Sequence, residues 1–209
     1  MARSESYAAW LKYFGLLKSA NYPLSLVICD DNENIMRAAQ YMFPHVRIQT
    51  CQVHFVENIR RALQTRTEEK FRPFLTDIVN LLFRKKITRP DFEKKAYRIM
   101  RRYEADPVVF QYMLKIDSYT GLLTAAAEYV GAPRDTNLIE LYNSHLEGRL
   151  KSIKGFETFR TARLWLNAYI LRRRYKLFTD CSRKFKYLNG TNSIGRTKKR
   201  NGFLPSLFH

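Results

Sequence analysis

Asp30 closes the apolar run Leu24-Ser25-Leu26-Val27-Ile28-Cys29, and Glu140 stands in the first turn of a helix that opens on Asp135-Thr136-Asn137. An acid at the end of a buried strand and an acid on a helix can share divalent cations. Such cations suit a phosphodiester, because they take one or two carboxylates and leave their other ligands to water and phosphate. After Glu140 the chain turns basic, and Arg149, Lys151, Lys154, Arg160 and Arg163 offer charges for a nucleic-acid backbone. The rival carboxylate, Glu147, lies seven residues further, roughly 10.5 Å along a helix, too far to share one ion with Glu140. Glu140 also has a plainer reading: Asn137-x-x-Glu140 fits a capping pair, with Glu140 reaching back to the cap N–H. On helical spacing, Leu138, Leu141, Tyr142 and Leu146 face a core.

A second cluster is Cys51-Gln52-Val53-His54. Cys-x-x-His is half of a zinc site, and the other histidines (His45, His145 and His209) supply no second pair. The expectation is a packed cysteine with a histidine hydrogen-bonded near the site. Thiol nucleophile chemistry lacks a third, orienting group. The absence of a Gly-rich phosphate loop argues against a nucleotide triphosphatase.

These residues need elements to position them. Apolar spacing predicts a helix over 5–20, broken by Asn21-Tyr22-Pro23. The run 24–29 reads as a buried parallel strand ending in Asp30-Asp31. A helix over 33–42 stops at Phe43-Pro44, Val46-Arg47-Ile48-Gln49-Thr50 alternates like a second strand, and a helix follows over 52–64. That is a βαβ unit, whose chemistry belongs at the strand carboxyl ends. From about 66 to 131 only helical patterns appear, which reads as an all-helical insertion. The core resumes at the Glu140 helix, another helix runs to about 178, and the rest is a basic tail with little to pack. The fold class is therefore α/β, divided as a core over 1–65, an insertion over 66–132, a return to the core over 133–178 and a tail over 179–209.

Composition narrows the partners. The 209 residues carry a net charge of +18, with 16 of the 37 Lys/Arg and only two acids in the last 61 positions. Basic residues there interleave with Phe156, Phe159, Trp165, Tyr169, Tyr175, Phe178 and Phe185, a pattern that favours a nucleic-acid partner over a membrane surface. Three irregularly spaced cysteines fit a reducing compartment, and no apolar run approaches membrane-spanning length.

The order of these features resembles the Mutator-like group of DDE-type transposases: apolar strand–Asp, Cys-x-x-His, helical insert, then Thr136-Asn137-x-Ile139-Glu140-x-x-Asn143 with a trailing Arg149-Leu150-Lys151. The resemblance runs from about residue 5 to 178. It implies an RNase H-like core interrupted by a helical insertion. It also implies Asp30 and Glu140 as catalytic and metal-holding acids, and Cys51 and His54 as the family's Cys-x-x-His. Mg²⁺ or Mn²⁺ is the implied cofactor, with no small-molecule cofactor. DNA is the implied partner, alongside an intact transposase copy or self-association. The implied location is cytoplasmic and nucleoid-associated in a prokaryote, nuclear in a eukaryote.

The chain departs from that pattern upstream. The family's first Asp lies on the first strand of a three-strand meander, whereas only Glu5 precedes Asp30 here. The expectation is a truncated core missing its first three strands, inactive alone, with the open edge of the 24–29 strand bare. The alternatives are a non-enzymatic DNA-binding transposase remnant or regulator, and a basic RNA-binding protein in which both acids are incidental.

Overall fold

The computed structural model describes residues 6–84 and 87–197. The chain divides into two units, Met1–Asn143 and Ser144–His209.

The first unit begins with α1 (Tyr7–Ser19), capped by the Ser6 hydroxyl, which accepts from the Ala9 N–H at 3.3 Å. Strand β1 (Leu26–Cys29), helix α2 (Glu33–Met42) and strand β2 (Arg47–Thr50) make the expected βαβ unit, and the two strands are parallel. Leu26 pairs with Arg47 and Cys29 with Thr50. Among the described residues β1 pairs only with β2, so one of its edges carries no strand. Asn32 caps α2 by accepting from the N–H groups of Asn34 and Ile35. This fixes the turn that carries Asp30 and Asp31. Phe14, Cys29, Ala38, Ala39, Val46 and Ile48 form the core around the sheet.

Helix α3 (Gln52–Ala62) leaves β2 directly and joins a second core with the helical block. That block comprises α4 (Arg72–Leu82), α5 (Arg89–Arg102), α6 (Pro107–Ser118) and α7 (Thr120–Thr124), with no strand among its described residues. Phe74, Ile78, Leu82, Phe92, Met113, Ile116 and Leu123 are almost wholly enclosed there. The helical periodicity read from the sequence is the apolar stripe that makes this core.

Alternation misleads at β2. It groups Gln49 with the outward Arg47, yet Gln49 is fully buried. Its Nε2 donates to the carbonyls of Thr50 and Leu123, and its Oε1 accepts from Ala126 N–H at 2.9 Å. Gln52 Nε2 donates to the same Leu123 carbonyl at 2.8 Å. Two buried amides thus tie the second strand and the start of α3 to the insertion.

Helix α8 (Asn137–Lys151) spans the boundary between the units. Leu141, expected to face a core, is 58% exposed. The second unit holds α9 (Phe159–Tyr175), capped by Thr158, a 3₁₀ stretch over Arg183–Leu188, and the short α10 (Ser193–Thr197). The start of the segment read as a loose tail is tied down. Phe178 N–H donates to Thr191 O, and the Asn189 side chain bridges both backbone groups of Cys181. The remainder of that segment, 198–209, lies outside the described residues.

Candidate metal centre

Asp30 follows the last residue of β1, and α3 starts directly after β2, so the parallel pairing sets the strand's carboxyl end beside the helix's first turn. The Cys51 N–H donates to the Cys29 carbonyl at 2.8 Å, which locks this junction. Cys51 is the cap residue of α3; its carbonyl accepts from the Phe55 N–H at 3.0 Å, while its fully buried side chain bonds no backbone of the helix. Its sulfur lies 3.3 Å from His54 Nδ1, one helical turn on.

His54 Nδ1 is the hub of the site. It stands 2.8 Å from Asp30 Oδ1 and 3.7 Å from Glu140 Oε1. The two carboxylates meet at one atom, so their oxygens lie at most about 6.5 Å apart, the sum of those distances. That upper limit is shorter than the roughly 8 Å that a bridged pair of ions can span.

Thr136, to which the sequence reading gave no role, completes the cluster. Its backbone N–H donates to Cys51 Sγ at 3.4 Å. Its hydroxyl donates to Glu140 Oε1, and lies 3.3 Å from Cys51 Sγ and 3.4 Å from His54 Nδ1. A hydroxyl carries one proton, and an ionised carboxylate can only accept, so the proton goes to Glu140. The carboxylate is therefore held by side chains, where a capping pair would have sent it to a backbone N–H. Asn137 is the first helical residue, and its N–H donates to Asp135 Oδ1. Another tether holds the entry to α8: the Gln52 N–H donates to the Arg134 carbonyl at 3.0 Å.

Asp30 and Asp31 divide their work. Asp31 receives the Tyr119 hydroxyl at 3.0 Å from each oxygen and lies 3.9 Å from Lys115 Nζ, both in the insertion. Its side chain is 27% exposed, against 56% for Asp30. Burial pushes the Tyr119 phenol up from its ordinary value, reinforced by the bond to Asp31. The Cys29 thiol behind the site is pushed up to about 12, first by burial, then by Asp30 and Asp31.

The chemistry follows from the donors. Two half-exposed carboxylates are hard oxygen ligands of the kind Mg²⁺ and Mn²⁺ take. Asp30, Cys51 and His54 also present ligand atoms within 4.8 Å of one another. In the second unit, Arg149, Lys151, Lys154, Arg160 and Arg163 are all exposed, on or beside α8 and α9. Trp165 and Tyr169 stack there with ring centroids 5.4 Å apart, and Phe156 packs on Trp165 at 5.7 Å. No described helix is long and apolar enough to cross a membrane.

The chain is 27% identical over 180 residues to the transposase for insertion sequence element IS256 in transposon Tn4001 of Staphylococcus aureus. It matches the same transposase of Enterococcus faecalis equally well. In both cases the match covers 80% of this chain and 43% of the relative, so the chain spans less than half the length of these curated relatives. The sequence pattern of the family described as "Transposase, Mutator family" matches residues 1–168, and the chain belongs to that family of transposases.

Proposed function

We propose that this chain carries two of the acids of a DDE-type site on an RNase H-like core, which cuts and joins the DNA of a mobile element with Mg²⁺ or Mn²⁺. The observation that supports it most is the meeting of Asp30 and Glu140 at His54 Nδ1 from opposite sides of a long helical insertion. A purely structural glutamate has no reason to converge on the strand-end aspartate. The donor set fits the metal: both carboxylates are exposed enough to keep water and phosphate as further ligands. Ions held there would polarise the scissile phosphate and activate the attacking hydroxyl.

The chain's own residues do the positioning. Asp30 is fixed by the β1 end and by the His54 ring, and Glu140 by the Thr136 hydroxyl. Tyr119 and Lys115 draw Asp31 towards the insertion, which leaves Asp30 to face the site. Arg149, Lys151, Lys154, Arg160 and Arg163 would neutralise phosphates along the DNA. The exposed cations and the stacked aromatic pair of the second unit also favour a second reading, a DNA binder or regulator that does no chemistry.

Iron-directed backbone cleavage tests the site. Fe²⁺ replaces Mg²⁺ in oxygen-ligand sites and, with ascorbate and peroxide, cuts the nearby polypeptide. Fragments should map to the neighbourhoods of Asp30, Cys51–His54 and Thr136–Glu140, and excess Mg²⁺ should suppress them. Cleavage confined to other segments would overturn the assignment.

A further inference from the structure

Cys51 and His54 add something that a Mg²⁺ site does not need. Mg²⁺ takes oxygen, yet a sulfur and an imidazole nitrogen sit among these carboxylates, and the nitrogen touches both kinds of donor. A tetrahedral Zn²⁺ ion, with bonds of about 2.0–2.1 Å to nitrogen and oxygen and about 2.3 Å to sulfur, spaces its ligand atoms roughly 3.3–3.6 Å apart. From His54 Nδ1 the distances are 2.8 Å to Asp30 Oδ1, 3.3 Å to Cys51 Sγ and 3.7 Å to Glu140 Oε1. The sulfur distance matches the tetrahedral spacing, and the ligand atoms of Asp30, Cys51 and His54 all lie within 4.8 Å of one another. The sulfur is also no apolar filler, because the Thr136 N–H donates to it at 3.4 Å.

We propose that Asp30, Cys51 and His54, with one position left open, form a thiophilic transition-metal site, suited to Zn²⁺, that takes Asp30 from the pair the Mg²⁺ chemistry uses. The inference rests on the reading of Asp30 and Glu140 given above. Binding replaces the proton between His54 Nδ1 and its neighbours with the ion, and the thiol and Nδ1 protons pass to solvent. Divalent ions rise in affinity towards the end of the first transition row, so Zn²⁺ at such a site outcompetes Mg²⁺ and Mn²⁺. An ion held by sulfur and nitrogen as well has fewer ligand positions left for phosphate. Occupancy by Zn²⁺ therefore switches the site off, while removal of Zn²⁺ frees Asp30.

Cobalt reports on sulfur ligation directly. Co²⁺ titrated into the full chain under reducing conditions should give a sulfur-to-cobalt charge-transfer band in the near ultraviolet, together with the visible absorption of tetrahedral cobalt. C181S should keep both. C51S and H54A, each checked for native circular dichroism, should lose the ultraviolet band and the tetrahedral spectrum respectively, and Zn²⁺ should bleach the wild-type signal stoichiometrically. Mn²⁺ titration of the same proteins separates the two ideas. In the wild type, equimolar Zn²⁺ should weaken Mn²⁺ binding at least tenfold, whereas in C51S the same Zn²⁺ should weaken it far less. Absence of any charge-transfer band, with Mn²⁺ still bound through Asp30 and Glu140, would overturn the thiophilic site and leave the proposed function standing. Loss of Mn²⁺ binding altogether would remove the reading beneath it.

Discussion

The Tyr119 hydroxyl lies 3.0 Å from both carboxylate oxygens of Asp31, across 88 positions of sequence. This contact joins the helical insertion to the strand end that bears Asp30, and it separates two adjacent acids into one anchored on the insertion and one left more exposed. Lys115 strengthens it, lying 5.3 Å from the Tyr119 ring centroid and 5.8 Å from that of Phe55.

Y119F should therefore cost about 0.5–1.5 kcal/mol of stability, the ordinary worth of a hydrogen bond, or somewhat more because the acceptor is charged. D31N should cost a similar amount, and D30N should cost less. Urea denaturation of the three variants checks the order. A larger loss for D30N than for D31N would reverse the division of roles.

Gln49 is the polar keystone between β2 and the insertion. Q49L keeps the volume but strands the Ala126 N–H in a buried setting, and each such group costs about 1–3 kcal/mol. Denaturant midpoints should fall accordingly, while Q52L should be milder, since Gln52 makes one side-chain bond and its Oε1 lacks a partner.

Much of this was legible in sequence, for identifiable reasons. Helices declare themselves through local periodicity, so α2 falls on Glu33–Met42 as expected, and the apolar run ending at Asp30 reads as the strand it is. Cys51 and His54 are legible as a motif because one helical turn separates them. What was hidden depends on distant contacts. Alternation cannot reveal that Gln49 turns inward, because its partners, Leu123 and Ala126, arrive from the insertion. Thr136 looks like an ordinary helix-start residue until folding brings Cys51 and His54 to it. Nor does spacing decide between Asp30 and Asp31, which Tyr119 and Lys115 sort.

Alkaline stability should show the Cys29 thiol. In the unfolded chain it ionises near 9.0, in the folded protein only near 12. Between those values the unfolded state alone releases the proton, so stability falls as pH rises through that window. C29A should flatten the fall relative to the wild type. Equal slopes for both proteins would contradict the assignment.

DNA affinity should fall with salt on a log–log slope of about −0.9 per phosphate neutralised. R160A and R163A should each make the slope shallower by roughly that amount, with little change in sequence preference. A slope unaffected by either change would place the phosphate contacts elsewhere.

Mn²⁺ binding read by electron paramagnetic resonance tests most directly whether Asp30 and Glu140 act on one metal centre. D30N and E140Q should each weaken binding at least tenfold, and the double variant should be little worse than either alone, because acids that share a site fail together. Full Mn²⁺ affinity in E140Q, or losses that simply add, would show that the two carboxylates serve separate purposes.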